Sequence, residues 1–253
     1  MVSTPWIFAN LLVLIIGVWI FAHYCLERKA INSFARKSIE GARDPTEEVL
    51  ALSGIVYSMM NAYPHHQEDP HFVPLRWFFA LGASPGAVLQ KGGCCSGRTR
   101  LNIVCLHCLG YKAWQITIYS GTGQHCLLEV SLAGRKSLID PTYGFYYVDE
   151  LGSPLGLSSL RTGKHPSFVS LPQSMAHGYP QHIYYDFDYP NTKTANWVMS
   201  QTRRALYRAL FSITLGRIDT LRQPPVLEWP QLILLSAIAT VLLILNVTLL
   251  LML

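Results

Sequence analysis

Two adjacent cysteines, Cys94 and Cys95, follow Gly92-Gly93 and stand where a helical pattern begins. A thiol becomes a useful nucleophile when its pKa is lowered, and a helix N-terminus does this by turning its positive dipole end and unbonded N–H groups toward the thiolate. The two glycines let a substrate backbone approach closely. Such a Cys also needs a His within hydrogen-bond reach, and the His needs an acceptor to orient it. His125 and Asp140 are the candidates for these roles, which makes the chemistry nucleophilic attack on an acyl carbon.

These residues are useful only if the chain brings them together. Leu101, Val104, Cys105, Cys108 and Leu109 recur at i, i+3, i+4, i+7 and i+8, so a helix starting at Cys94 or Cys95 is expected to end at Gly110. Before it, Pro45 to Met60 reads as a helix with Asp44 as its cap and Glu47 and Glu48 in its first turn. Ser84 to Leu89 reads as a second, shorter one. After it come the strand patterns Ala113 to Tyr119, His125 to Leu132, Lys136 to Asp140, Phe145 to Val148 and Tyr184 to Tyr189. Helices first and antiparallel strands after is an α+β order. If Ala133 and Gly134 are the two turn residues of a hairpin, Leu132 pairs with Arg135 and Asp140 lies opposite Leu127. Asp140 is then a diagonal neighbour of His125, roughly 7 Å away between backbones. A slip of one residue would put the two side chains on opposite faces.

Composition places this domain next to a membrane. Of 253 residues half are hydrophobic and only 14% are charged, against about a quarter charged in ordinary globular domains. The excess sits at the ends: Trp6 to Tyr24 is 19 residues long and Leu232 to Leu253 is 22 residues long, both without charge. At ~1.5 Å per residue they reach roughly 29 and 33 Å, close to the ~30 Å hydrocarbon thickness. The first lacks the basic lead and small-residue cleavage site of a signal peptide. Trp6, Trp19, Tyr24 and Trp229 are placed like an aromatic belt. Arg28, Lys29, Arg36 and Lys37 follow the first span, and Arg208, Arg217 and Arg222 precede the second. The positive-inside rule then sets both termini outside and the middle in the cytoplasm. Five of six Cys fall within 33 residues, which suits thiols in a reducing compartment better than a disulfide framework. A net charge of +5 with no Lys/Arg run argues against nucleic acid as a partner.

The expected organisation is a tail (1–5), a span (6–24), a basic connector (25–44), a domain (45–190), a basic amphipathic helix with a Pro-rich link (191–231) and a second span (232–253). In the fifth segment Met199, Leu206, Leu210 and Ile213 form one face of a helix over Thr194 to Gly216. That face lies either on the membrane surface or on the domain.

Cys at a helix start, then His and Asp on adjacent strands, resembles the transglutaminase-like branch of the papain-like thiol enzymes, in a bacterial-type membrane-anchored form. The residues that carry the likeness are Ala87-Val88-Leu89 leading into Gly93-Cys94-Cys95, Leu109-Gly110, His125-Cys126-Leu127-Leu128-Glu129-Val130 and Leu138-Ile139-Asp140-Pro141-Thr142. A weaker tail continues at Tyr147-Val148-Asp149-Glu150-Leu151-Gly152. Family members show Gly-x-Cys, a helix closing in Leu-Gly, His-x-x-x-Glu-Val and Asp-Pro-Thr. The resemblance implies a Cys-bearing helix packed on an antiparallel sheet, here flanked by two terminal transmembrane helices. It also implies a Cys95–His125–Asp140 triad, with Cys95 preferred to Cys94 because family helices close about fifteen residues after the nucleophile. The implied activity is peptidase, amidase or acyl transfer through a thioester, on an acyl-bearing protein, peptide or small molecule, with no metal or organic cofactor. Leu127 and Ile139 stand where aromatic residues are frequent in the family. Gln90 and Trp77 are candidates for a second oxyanion donor beside the Cys95 N–H.

Other readings compete. Cys105-x-x-Cys108 with His107 between, or His65, His66 and His71 with Glu68 and Asp69, could bind metal. The two Cys lie on the apolar face of their helix and read as core, and the His spacing fits no standard site. Glu129 reads as part of the family strand and not as a second catalytic carboxylate. Asn246-Val247-Thr248 matches a glycosylation pattern but lies inside a span. Finally, the same fold could serve as a catalytically silent adaptor in a membrane protein complex.

Overall fold

The computed structural model of the protein describes residues 4–61, 84–120, 124–132, 134–162, 166–172, 188–189, 192, 208–217 and 228–252. Its helices are α1 (Thr4–Ser38), α2 (Pro45–Asn61), α3 (Pro85–Lys91), α4 (Cys95–Cys108), α5 (Leu157–Arg161) and α6 (Pro230–Met252). Its strands are β1 (Ala113–Tyr119), β2 (Gln124–Leu132), β3 (Arg135–Asp140), β4 (Phe145–Val148) and β5 (Ser167–Ser170). The strands form one antiparallel sheet in the order β1-β2-β3-β4-β5. This is a mixed helix-and-sheet fold with an apolar helix at each end.

Local chemistry sets the helix boundaries. Asp44 Oδ1 accepts from the N–H groups of Thr46 (2.7 Å) and Glu47 (3.0 Å), and Glu47 reaches back to the Arg43 N–H (2.9 Å), a reciprocal cap that starts α2. Ser84 Oγ accepts from the Ala87 N–H, and Pro85 occupies the first turn of α3. Past the end of α4, Gly110 takes φ +90°, the left-handed geometry that stops a helix there.

The sheet carries apolar residues on both faces. Leu128, Val130, Leu132 and Ile139 meet Leu101, Val104, Cys105 and Leu106 of α4 and Val49, Leu52 and Val56 of α2. Trp114, Ile116, Ile118, Leu127, Leu138 and Tyr147 pack with Leu155, Leu157 and Leu160 on the other side. The β2–β3 register follows the two-residue turn, with Leu132 opposite Arg135 and Leu128 opposite Ile139. Of the fifth strand expected, residues 184–187 lie outside the described residues, while the Asp188 N–H donates to the Tyr119 carbonyl at 2.9 Å. The β5 strand at Ser167–Ser170 was not anticipated; its short, mostly exposed sequence gives little alternation to detect.

Two expectations about helices change. Residues 25–38, read as a connector, continue α1 without a break, and Ile31 and Ala35 are fully buried in the domain core. A stretch containing Arg28, Lys29, Arg36 and Lys37 can still bury its other face. The α4 helix, expected to be apolar on one face, is instead buried all round from Ser96 to Leu106, because α1, α2, α3 and the sheet enclose it.

Both terminal helices are long and apolar enough to cross a membrane: the most apolar 18-residue stretch has mean hydropathy 2.1 within Trp6–Ser38 and 2.2 within Pro230–Thr248. They run antiparallel. Ile20 packs with Leu234, Tyr24 meets Trp229 edge-on at 5.0 Å, and Asn246 Nδ2 donates to Asn10 Oδ1 at 3.2 Å. Trp229 is buried against Tyr24 and does not project as a belt residue, whereas Trp19 is exposed. Of the amphipathic helix expected over 194–216, residues 194–207 lie outside the described residues. The helical stretch 208–213 leaves Ile213 76% exposed, and Leu215 just beyond it is 90% exposed.

Candidate active site

His125 lies near the start of β2 and Asp140 ends β3. The alternation of side chains along both strands, with Glu129 opposite Leu138, turns both residues to the same face. Their side chains close the diagonal: His125 Nε2 and Asp140 Oδ2 are 2.8 Å apart. Asp140 is completely buried, and its other oxygen, Oδ1, accepts from the N–H groups of Thr142 (2.9 Å) and Tyr143 (3.0 Å). That turn is closed by a Gly144 N–H to Asp140 carbonyl bond of 2.9 Å, with Gly144 at φ +79°. The Asp-Pro-Thr-Tyr-Gly sequence therefore fixes the carboxylate before it meets the imidazole.

Cys95 is the first residue of α4, half-buried, with its thiol near enough to the His125 imidazole to help hold the proton there. Since Nε2 faces Asp140, Nδ1 is the ring nitrogen left for the thiol. Burial disfavours the His125 charge, but Asp140, through charge and hydrogen bond, and Cys95 outweigh it and hold the imidazole well above its ordinary pKa. The N–H groups of Cys95, Ser96 and Gly97 open the helix, where no intrahelical carbonyl can reach them. Cys94, the N-cap residue, is turned elsewhere, with Sγ 3.2 Å from Ser96 Oγ.

Two neighbours were not singled out from the sequence. The Tyr143 ring lies 5.3 Å from the His125 ring at 49° and covers one side of it. Burial raises the Tyr143 pKa, His125 opposes that, and the phenol stays protonated. Arg98, on the inner side of α4, donates from Nε to the Gly93 carbonyl (3.1 Å) and from Nη1 to the Thr142 carbonyl (3.3 Å). The only sequence signal for Arg98 is its place one turn after Cys95.

The remaining candidates either serve other parts of the fold or lie outside the described residues. Gln90 is exposed at the end of α3. Trp77 and the His65, His66, His71, Glu68 and Asp69 loop lie outside the described residues. Glu129 is buried on structural duty: Oε2 accepts from Trp114 Nε1 (2.8 Å) and pairs with Lys136 (3.2 Å), and Oε1 accepts from the Leu157 N–H (2.8 Å) at the start of α5. Cys105 is fully buried in the core, and burial raises its pKa far above the ordinary thiol range. His107 Nε2 is held by the Ala113 carbonyl at 2.8 Å. The arrangement at Cys95 can transfer a proton from thiol to imidazole while Asp140 stabilises the resulting charge.

No protein-family profile and no curated protein matches the sequence. Among solved structures, the chain is similar to a candidate cysteine protease from Cytophaga hutchinsonii, with TM-score 0.36 and 16% identity over 61% of this chain and 55% of that one. The chain thus spans about half the length of that protein.

Proposed function

We propose that the protein is a membrane-anchored cysteine enzyme of the transglutaminase-like kind, with Cys95 as nucleophile, His125 as acid–base and Asp140 as its orienting carboxylate. The observation that carries this reading is a single imidazole held by a buried carboxylate at 2.8 Å and kept protonated above its ordinary range by that carboxylate together with a helix-start thiol. The substrate class is an acyl compound: an amide, ester or thioester on a protein, peptide or small molecule.

In the first half-reaction the Cys95 proton passes to His125 Nδ1 and the sulfur attacks the acyl carbon. The tetrahedral oxyanion takes hydrogen bonds from N–H groups at the start of α4. His125 returns the proton to the leaving amine, alcohol or thiol as its bond to the acyl carbon breaks, leaving a thioester on Cys95. Water or an amine then gives a proton to His125 and attacks the thioester, and the thiol is regenerated with release of acid or amide. None of these steps requires a metal. The two antiparallel apolar helices serve as bilayer spans, with the domain on the cytoplasmic side.

The test is labelling of the full-length protein with an acyl-type electrophilic probe. Labelling that disappears in Cys95→Ala and His125→Ala and persists in Cys94→Ala supports the reading. No labelling of the wild type, or labelling indifferent to Cys95, overturns it in favour of a silent adaptor.

A further inference from the structure

Arg98 is a cation in the protein interior, 4% exposed, one helical turn from Cys95. Burying a guanidinium is unfavourable unless carbonyls and opposite charge surround it, and a Leu or Met would fill the same space on α4 without that cost. What the guanidinium holds is specific. The Gly93 carbonyl, two residues before Cys95, belongs to the segment that delivers the thiol. The Thr142 carbonyl belongs to the turn whose N–H groups bind Asp140. One side chain thereby clamps the two chain segments that must keep register for Cys95 and Asp140 to share His125.

Charge runs in the same direction as geometry. Among the described residues, the ionisable groups around Cys95 are Cys94 just before α4, Arg98 of α4, His125 from β2, Asp140 from β3 and Tyr143 from the turn after it, with Tyr57 of α2 facing Arg98. Arg98 is the member whose charge does not change over the physiological pH range. Burial lowers its pKa, and the charges of Asp140, Cys95 and Cys94 pull it back up, so the guanidinium stands against three acidic groups at the site.

We propose that Arg98 is a positioning residue of the thiol site, holding the Cys95 approach against the Asp140 turn and supplying a permanent positive charge that favours the Cys95 thiolate. This deepens the reading of Cys95 and His125 given above and rests on it. A lysine keeps the charge but cannot span two carbonyls with a planar fork, and a neutral side chain loses both functions.

The experiment measures iodoacetamide alkylation of Cys95, read by peptide mass, in full-length protein from roughly pH 5 to 9, a range that brackets His and Cys titration. The thiolate displaces iodide, so the rate follows the thiolate fraction. In Arg98→Met the pH of half-maximal rate rises by about 1 unit, the low end for loss of one adjacent charge. In Arg98→Lys that midpoint stays at the wild-type value, while acyl-probe labelling slows about tenfold through lost positioning. If Arg98→Met does not fold by near-UV circular dichroism, Arg98→Gln, which keeps an amide donor for one carbonyl, carries the same test. Superposable pH profiles for the neutral variant and the wild type overturn the proposal, as does an equal midpoint shift in Arg98→Lys. Failure of the parent reading looks different: wild-type Cys95 labelling is then indifferent to His125→Ala.

Discussion

Replacing Asp140 by Asn changes one atom and one charge, and the local geometry says what should follow. In Asp140→Asn the amide oxygen can still accept from the Thr142 and Tyr143 N–H groups, so the turn is retained. The amide nitrogen then faces His125 Nε2, where the carboxylate accepted at 2.8 Å. An NH₂ can only donate, so Nε2 must become the acceptor and Nδ1 must carry the hydrogen, which removes the lone pair that takes the Cys95 proton. Charge adds to the tautomer effect. With charge centres ~4 Å apart and an effective dielectric near 20, about 4 kcal/mol of imidazolium stabilisation is lost, or roughly three orders of magnitude in rate. The assay is the initial rate of acyl-probe labelling at neutral pH, with folding monitored in parallel.

The pH dependence of stability provides a second readout for the same variant. Because His125 has its pKa raised in the folded state, the pair stabilises the protein below the unfolded His value of about 6.5 and loses that contribution as pH rises through the raised folded value. The difference in Tm between wild type and Asp140→Asn should therefore be largest in acid and shrink in alkali. Labelling within tenfold of wild type, at unchanged fold, would refute the tautomer argument.

Three further outcomes are expected. Glu129→Gln should lower stability by about 2 kcal/mol, because charge-assisted bonds to Trp114, Leu157 and Lys136 weaken. Cys95 labelling should persist, and its loss without a change in Tm would instead make Glu129 catalytic. The buried Arg100–Glu228 pair, 3.2 Å apart, joins α4 to the segment before α6. Arg100→Met alone should cost about 3 kcal/mol by stranding the carboxylate, and Arg100→Met with Glu228→Leu should recover most of it; equal melting of single and double variants would refute this. Orientation is open to a direct check: a Cys introduced at exposed Glu150 should resist a membrane-impermeant maleimide in intact cells and react after lysis, whereas a Cys at Ser3 should react in both.

What could be read in the sequence is what local rules govern. The hairpin is the clearest instance: pairing Leu132 with Arg135 fixes register, register fixes which face each residue takes, and that suffices to bring His125 and Asp140 together. The cap at Asp44, the helix start at Ser84 and the stop at Gly110 were legible for the same reason. The polar interior was not. Arg98 and Arg100 look like the solvated face of an amphipathic helix, and they are inside only because α1, α2 and α3 close over them. Their partners, Gly93, Thr142 and Glu228, come from three separate parts of the chain. Likewise Glu27-Arg28-Lys29 looks like the end of a span. Yet Glu27 accepts hydrogen bonds from the Gly86 N–H and Gln231, so the helix runs on into the domain. A Cβ at Gly86 would collide with the Glu27 side chain, which shows how close that docking is.

On the proposed reading, the unbroken course of α1 bears on where the chemistry takes place. With its first part in the bilayer, the 14 residues of 25–38 rise about 21 Å at 1.5 Å per residue, and the domain is built onto that short mast. There is no slack to pay out. If α1 spans the bilayer as proposed, the Cys95 site is confined to a thin layer over the membrane surface, and a substrate embedded in or resting on the same membrane would meet it by lateral, two-dimensional search. A soluble substrate must first enter that layer. A fragment beginning at residue 45 would lose Ile31 and Ala35 along with the span, and with them part of the core of the domain.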